Sequence, residues 1–130
     1  MYLLDTNSLI YFFRQDGQVH VNLLATPPSE IAVPTVVLHE LETGIAKSSN
    51  PAKRRAQLDR LLQVVNVLPL GVAEAKAAAL ARATLEGTGE PIGPIDTLIA
   101  GVALANRCTL VTRNVREFAR VPGLAVVNWY

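Results

Sequence analysis

The chain opens MYLLDTNSLIYFF, residues 1–13, and the reading of this stretch decides the fold. Tyr2 to Leu4 form a short apolar run that stops at the polar group Asp5-Thr6-Asn7-Ser8, after which Leu9, Ile10, Phe12 and Phe13 recur at helical spacing. That is a strand, a polar turn and a helix. The same order returns at Ile31 to Val33, where Pro34 and Thr35 open a helix whose Val37, Leu41 and Ile45 share one face. Asn50 and Pro51 are a cap and a first-turn proline for a third helix carrying Leu58, Leu61, Leu62 and Val65, with a strand expected over Val64 to Leu68. The alanine-rich stretch from Val72 to Glu86 predicts a helix stopped by Gly87, and residues 87–93 predict a loop. Pro94 starts a further helix to about Asn106, followed by strands over Thr109 to Thr112 and Leu124 to Val127. Short, almost continuously apolar strands separated by helices require a parallel sheet covered on both faces, so the class is α/β with three layers.

At 130 residues, without repeats or Ser/Gly linkers, the chain reads as one domain spanning 1–130. Half of the residues are hydrophobic and only 18% are charged, which excludes a disordered chain. The net charge of +1 excludes whole-molecule attraction to nucleic acid, so any electrostatic function is local. Cys108 is the only cysteine, which excludes an internal disulfide and a cysteine-built zinc site; a reducing compartment, the cytoplasm, is expected. The start lacks a basic segment, Asp5 interrupts its apolar stretch, and no run approaches the roughly 18 apolar residues of a membrane span. Neither targeting nor membrane insertion is expected.

In doubly wound sheets ligands bind outside the carboxyl ends of the strands, so polar residues just after strands carry the functional reading. Asp5 follows the first strand directly; its simpler role is that of a helix N-cap. Glu40 lies near the apolar stripe of its helix, one turn before Gly44, a poor helix residue unless something approaches it closely. An ordinary solvated glutamate is the simpler reading there, and the better one for Glu42. Asp96 is the third residue of the helix opened by Pro94, and it is the only charge between Glu90 and Arg107. Three carboxylates from separated segments, each on apolar elements, are the ingredients of a hard-cation site, because Mg²⁺ prefers oxygen ligands and keeps several waters. Such a site activates water against a phosphodiester.

The neutral total hides two basic stretches: Lys47, Lys53, Arg54, Arg55 and Arg60, and then Arg107, Arg113, Arg116 and Arg120, nine of the 12 basic residues. Backbone phosphates are drawn to such patches, and Arg113 and Arg116 have the stronger case because they follow the fourth strand. The first stretch reads almost equally well as a solvated helix face. Tyr11, Phe12 and Phe13 read as core or subunit packing, His20 and His39 as surface histidines, and Trp129 and Tyr130 as packing on the last strand or at an interface.

Taken together, YLLDTN at residues 2–7, VVLHELETG at 36–44, PIGPIDTLIA at 91–100, LVTRNVREF at 110–118 and VPGL at 121–124 resemble PIN-domain ribonucleases, most closely the VapC-like toxins of bacterial toxin–antitoxin pairs. The resemblance implies a PIN-like three-layer fold with a five-stranded parallel sheet in the order 3-2-1-4-5. It implies a metal-dependent endoribonuclease that cuts RNA, a structured one such as tRNA or rRNA, with Mg²⁺ or Mn²⁺. Asp5 and Asp96 are then the principal metal ligands, Glu40 binds a second metal or positions the water, and Thr6 and Thr112 support the acids with their hydroxyls. Many relatives carry a fourth acid where this chain has Asn114, and Glu117 is expected to take its place, with the number of metals left open. A homodimer and inhibition by a cognate antitoxin are implied as well. The rival reading is a PIN-like module that binds RNA or protein without cutting, its metal site weakened by Asn114. A haloacid-dehalogenase-like phosphatase needs a second Asp where Asn7 stands, and a receiver domain needs one after its third strand, where the chain reads VLPL at 67–70.

Overall fold

The computed structural model describes residues 1–130. At its centre β1 (Tyr2–Leu4) pairs in parallel with β2 (Ile31–Pro34) on one side and β4 (Thr109–Val111) on the other. Beyond them lie β3 (Asn66–Leu68) next to β2 and β5 (Ala125–Val127) next to β4. The order β3-β2-β1-β4-β5 is the expected one, and it reverses direction at β1. Leu4 stands opposite Val111, and Val111 opposite Val127, so the residues that follow these strands emerge along one edge. Leu3, Leu4, Ile31, Ala32, Val33, Leu110 and Val111 are fully buried, as strands covered on both faces must be.

The covering helices are α1 (Thr6–Arg14), α2 (Val19–Leu24), α3 (Thr35–Ala46), α4 (Pro51–Leu62), α5 (Val72–Gly87), α6 (Pro94–Ala105) and α7 (Val115–Phe118). None is long and apolar enough to cross a membrane. Val37, Leu41 and Ile45 of α3 are buried as their spacing requires. Two helices are additions to the sequence reading. In α2, six residues long, Val19 and Leu23 are buried one turn apart, too brief a pattern to register as a period. The polar stretch after β4 coils into α7 because Phe118 is drawn into the core.

Element boundaries also differ from expectation. Val64 and Val65 close the end of α4, their amides donating to the Leu61 carbonyl, and β3 starts only at Asn66. Asn66 then ties that edge strand down by donating its side-chain amide to the carbonyls of Ser29 and Ile31. Asn50 sits at the cap position of α4, but its side chain makes no capping bond. Gly87 remains inside α5, and the left-handed turn falls on Gly89, with φ of 72°. There the amides of Gly89 and Glu90 satisfy the carbonyls of Glu86 and Leu85.

The contact between α5 and α6 fixes where α6 begins. A Cβ placed on Gly101 would lie 2.5 Å from the Ala78 Cβ and 2.7 Å from the Glu74 carbonyl oxygen. No side chain fits between the two helices. Helix propensity alone favours alanine over glycine, but the clash is with backbone that cannot rotate away. Gly101→Ala is therefore expected to lower stability by about 1–3 kcal/mol in urea denaturation; a neutral or stabilising effect would show that the helices are not in contact at this point.

Candidate active site

Asp5 leaves β1 and enters α1, and its backbone is held at both ends: its amide donates to the Val111 carbonyl at 3.2 Å, and its carbonyl accepts from the Leu9 amide at 3.3 Å. Its side chain is buried, with Oδ1 capping α1 by accepting from the Ser8 amide at 2.9 Å. Ser8 reinforces the junction by donating its hydroxyl to the same Val111 carbonyl at 3.1 Å. The capping role and the functional role thus coexist, since capping occupies one carboxylate oxygen and leaves Oδ2 free. Ser8 is a contributor that motif reading passed over, although its place three residues after a capping Asp is the signal that identifies it.

Glu40 projects from α3 towards α1, where the Thr6 hydroxyl donates a hydrogen bond to its Oε1. Asp96 lies in the first turn of α6, and the loop before it brings that turn beside Asp5. The helix dipole by itself favours an ionised carboxylate at this position. Burial and the charges of Asp5, Glu117 and Glu40 override it and push the Asp96 carboxyl up from 3.8 to about 6. Glu117, on α7, has its Oε2 held by the Asn114 side-chain amide at 2.8 Å, and the Asn114 backbone amide donates to the fully buried Thr112 hydroxyl. The four acids and the supporting Thr6, Thr112 and Asn114 are therefore brought to one place.

Each acid retains a free oxygen, and no arginine or lysine neutralises any of them: the fold's ion pairs are Arg55 with Glu42, Arg82 with Glu86 and Arg120 with Glu90. No three of these side chains close on a common point as a preformed cage. An open arrangement of free carboxylate oxygens without a counter-charge suits a cation that keeps much of its own water, and Mg²⁺ needs only one or two carboxylates from a protein.

Other residues lie differently from expectation. The Arg113 guanidinium sits 3.6 Å from the Tyr130 ring centroid and 5.7 Å from that of Tyr11, so it stacks on these rings while the residue stays exposed. Tyr11 and Tyr130 meet edge to face, and Trp129 packs on Tyr2, which places the segment after β5 against β1 and α1. Nothing in local patterning joins residues so far apart in the chain. Arg116 is exposed and unpaired. Glu42 is not simply solvated, because Arg55 grips both its oxygens at 2.7 and 2.6 Å and holds its carboxyl below the usual range. His39 is exposed as expected, but His20 is half-buried. His20 Nδ1 and Gln57 Oε1 are both buried without a hydrogen-bond partner, and both residues line a cavity of 440 Å³ between α1, α2 and α4 that contains none of the four acids.

The family model of the PIN domain matches residues 2–124. Ribonuclease VapC2 of Rickettsia felis is 34% identical, covering 99% of this chain and 98% of its own. The tRNA(fMet)-specific endonuclease VapC of Salmonella typhimurium is 30% identical, covering 98% of this chain and 97% of its own. The crystal structure of VapBC2 from Rickettsia felis, bound to a DNA fragment from its promoter, superposes with a TM-score of 0.91 at 33% identity, over 99% of this chain and 98% of that one. The chain belongs to the PIN-domain family and, within it, is VapC-like.

Proposed function

We propose that this protein is an RNA-cleaving toxin, an endoribonuclease that hydrolyses phosphodiester bonds with Mg²⁺ or Mn²⁺ and is restrained by a cognate antitoxin. The observation that carries the reading is the convergence of Asp5, Glu40, Asp96 and Glu117 with no cationic partner, in which burial first, and then the neighbouring carboxylates, raise Asp96 to about 6. Similarity to proteins named ribonuclease and endonuclease supports the same chemistry, and similarity to a VapBC complex supports the antitoxin. A cytoplasmic homodimer belongs to this reading.

Asp5, through its free Oδ2, and Asp96 would hold the cation, with Glu40 adding an oxygen. When bound, such a cation polarises the phosphoryl oxygens and acidifies water near neutral pH. The residues of this chain do the positioning. Thr6 fixes one Glu40 oxygen and leaves the other free. Asn114 does the same for Glu117, whose free Oε1 orients the attacking water and accepts its proton. Here the amide at 114 takes the role of a support rather than of an acid. Arg116 attracts the RNA backbone from the rim.

Purified, antitoxin-free protein is expected to cut total cellular RNA with Mg²⁺ or Mn²⁺ and to stop on adding EDTA. Asp5→Asn and Asp96→Asn are expected to abolish cleavage with unchanged circular dichroism; wild-type rates in either would remove that residue from its role. No products from folded wild type would favour a module that binds without cutting. Glu117→Gln should give a partial loss, and Asn114→Ala a loss of about 10–100-fold in rate or metal affinity; unaltered kinetics in both would exclude α7 from the site.

The Asp96 carboxyl also makes a pH prediction. Because its folded pKa is raised from 3.8 to about 6, the native state binds more protons than the unfolded state between these values, and stability falls as pH rises through that window. Urea denaturation in EDTA should show this loss in wild type and not in Asp96→Asn. Saturating Mg²⁺ should reverse it by drawing the carboxyl back to its ionised form. Identical pH profiles for the two proteins would contradict the raised Asp96 pKa and the burial and acidic neighbours that cause it.

A further inference from the structure

A second cavity, of 340 Å³, opens between α1, α3 and α4, and Glu40 forms part of its wall. We propose that this cavity seats one nucleotide of the RNA, adjacent to the phosphodiester that is cut; the proposal rests on the ribonuclease reading above. The floor is apolar, built from Ile10, Phe13 and Leu58, and two arginines, Arg14 and Arg54, line it as well. Neither arginine has an acidic partner, unlike Arg55 on the same helix as Arg54. An apolar floor beside unpaired guanidinium groups fits a flat base with its phosphates directed at the arginines, which is how unstacked RNA bases are commonly held. Glu40 places the occupant beside the carboxylate cluster.

Gly44 supplies the independent observation. It lies inside α3, where glycine is disfavoured, and it has no packing reason to be there, because a Cβ built on it meets nothing within 4 Å. That open space is the cavity, which Gly44 lines. Gly101 is small because a neighbouring helix presses on it, whereas Gly44 keeps a wall low that any side chain would raise. The larger cavity on the other side of α1 has a single arginine, Arg60, and does not reach Glu40, so it lacks both features.

The test uses the full-length protein in EDTA, so that phosphate does not bind through a cation. Each of the four ribonucleoside 5′-monophosphates is titrated while amide chemical shifts are followed by NMR. At least one is expected to give saturable shifts at Gly44 and Ile45, lost in Gly44→Leu and weakened in Arg14→Gln/Arg54→Gln. With metal restored, Gly44→Leu should lower kcat/KM for RNA cleavage by about tenfold or more. Gly44→Ala guards against a folding defect: it should raise Tm, as alanine in a helix does, and still lower kcat/KM. A higher Tm with unchanged kinetics would mark Gly44 as merely a weak helix residue and overturn the proposal. Wild-type cleavage without a shift from any monophosphate overturns the seat and leaves the ribonuclease reading intact. Nucleotide shifts without cleavage support the seat and overturn the catalytic reading, and absence of both overturns the two together. Weakened antitoxin binding by Gly44→Leu at unchanged kcat/KM would identify a peptide as the occupant and overturn the proposal.

Discussion

Burial of the Asp96 carboxyl in the company of Asp5, Glu117 and Glu40, with no counter-charge, is the constraint on which the rest of this structure depends. A carboxylate buried at such a sheet edge beside others lowers its energy by taking up a proton or by binding a cation, and Asp96, raised to about 6 by burial first and by its acidic neighbours second, shows the first route. An internal arginine would have relieved the strain. The arginines instead pair with glutamates elsewhere, stack on tyrosines or remain free at the rims. The repulsion is therefore preserved, available for a cation to relieve.

Holding such a cluster together takes rigid supports made of neutral groups. Parallel pairing of β1 with β4 sets Asp5 next to Thr112, and the Val111 carbonyl receives both the Asp5 amide and the Ser8 hydroxyl. Close packing of α5 on α6 at Gly101 and Ala78 fixes the helix whose first turn carries Asp96. Thr6 and Asn114 each donate to one oxygen of a glutamate, which orients the carboxylate without cancelling its charge. Packing, backbone hydrogen bonds and side-chain donors thus converge on one function, keeping four negative charges in place.

Much of this was legible from residue patterns. Asp5 and Asp96 stood out because each interrupts an apolar element at a strand end or helix start, and Glu40 because it lies near the apolar stripe of its helix; the alternation of short strands with helices predicted the layers. The sheet order came from the family resemblance and agrees with the structure. Less visible were interactions between distant segments. The stacking of Arg113 on Tyr130 depends on where the chain after β5 returns, and local periodicity carries no such information. Likewise, α2 and α7 are too short to show a period and are stabilised by the buried Val19, Leu23 and Phe118. Gly44 was conspicuous in sequence, but only the structure shows that open space rather than a neighbouring element lies against it.

Calorimetric titration of Mg²⁺ into metal-free protein tests the central claim most directly, because it asks whether the carboxylate cluster holds a cation. Run near the raised pKa of Asp96 in buffers of different ionisation enthalpy, it should show saturable binding coupled to proton release, with both the binding and the proton signal lost in Asp96→Asn. Absence of binding, or binding with the same affinity and proton count in Asp96→Asn, would contradict the account.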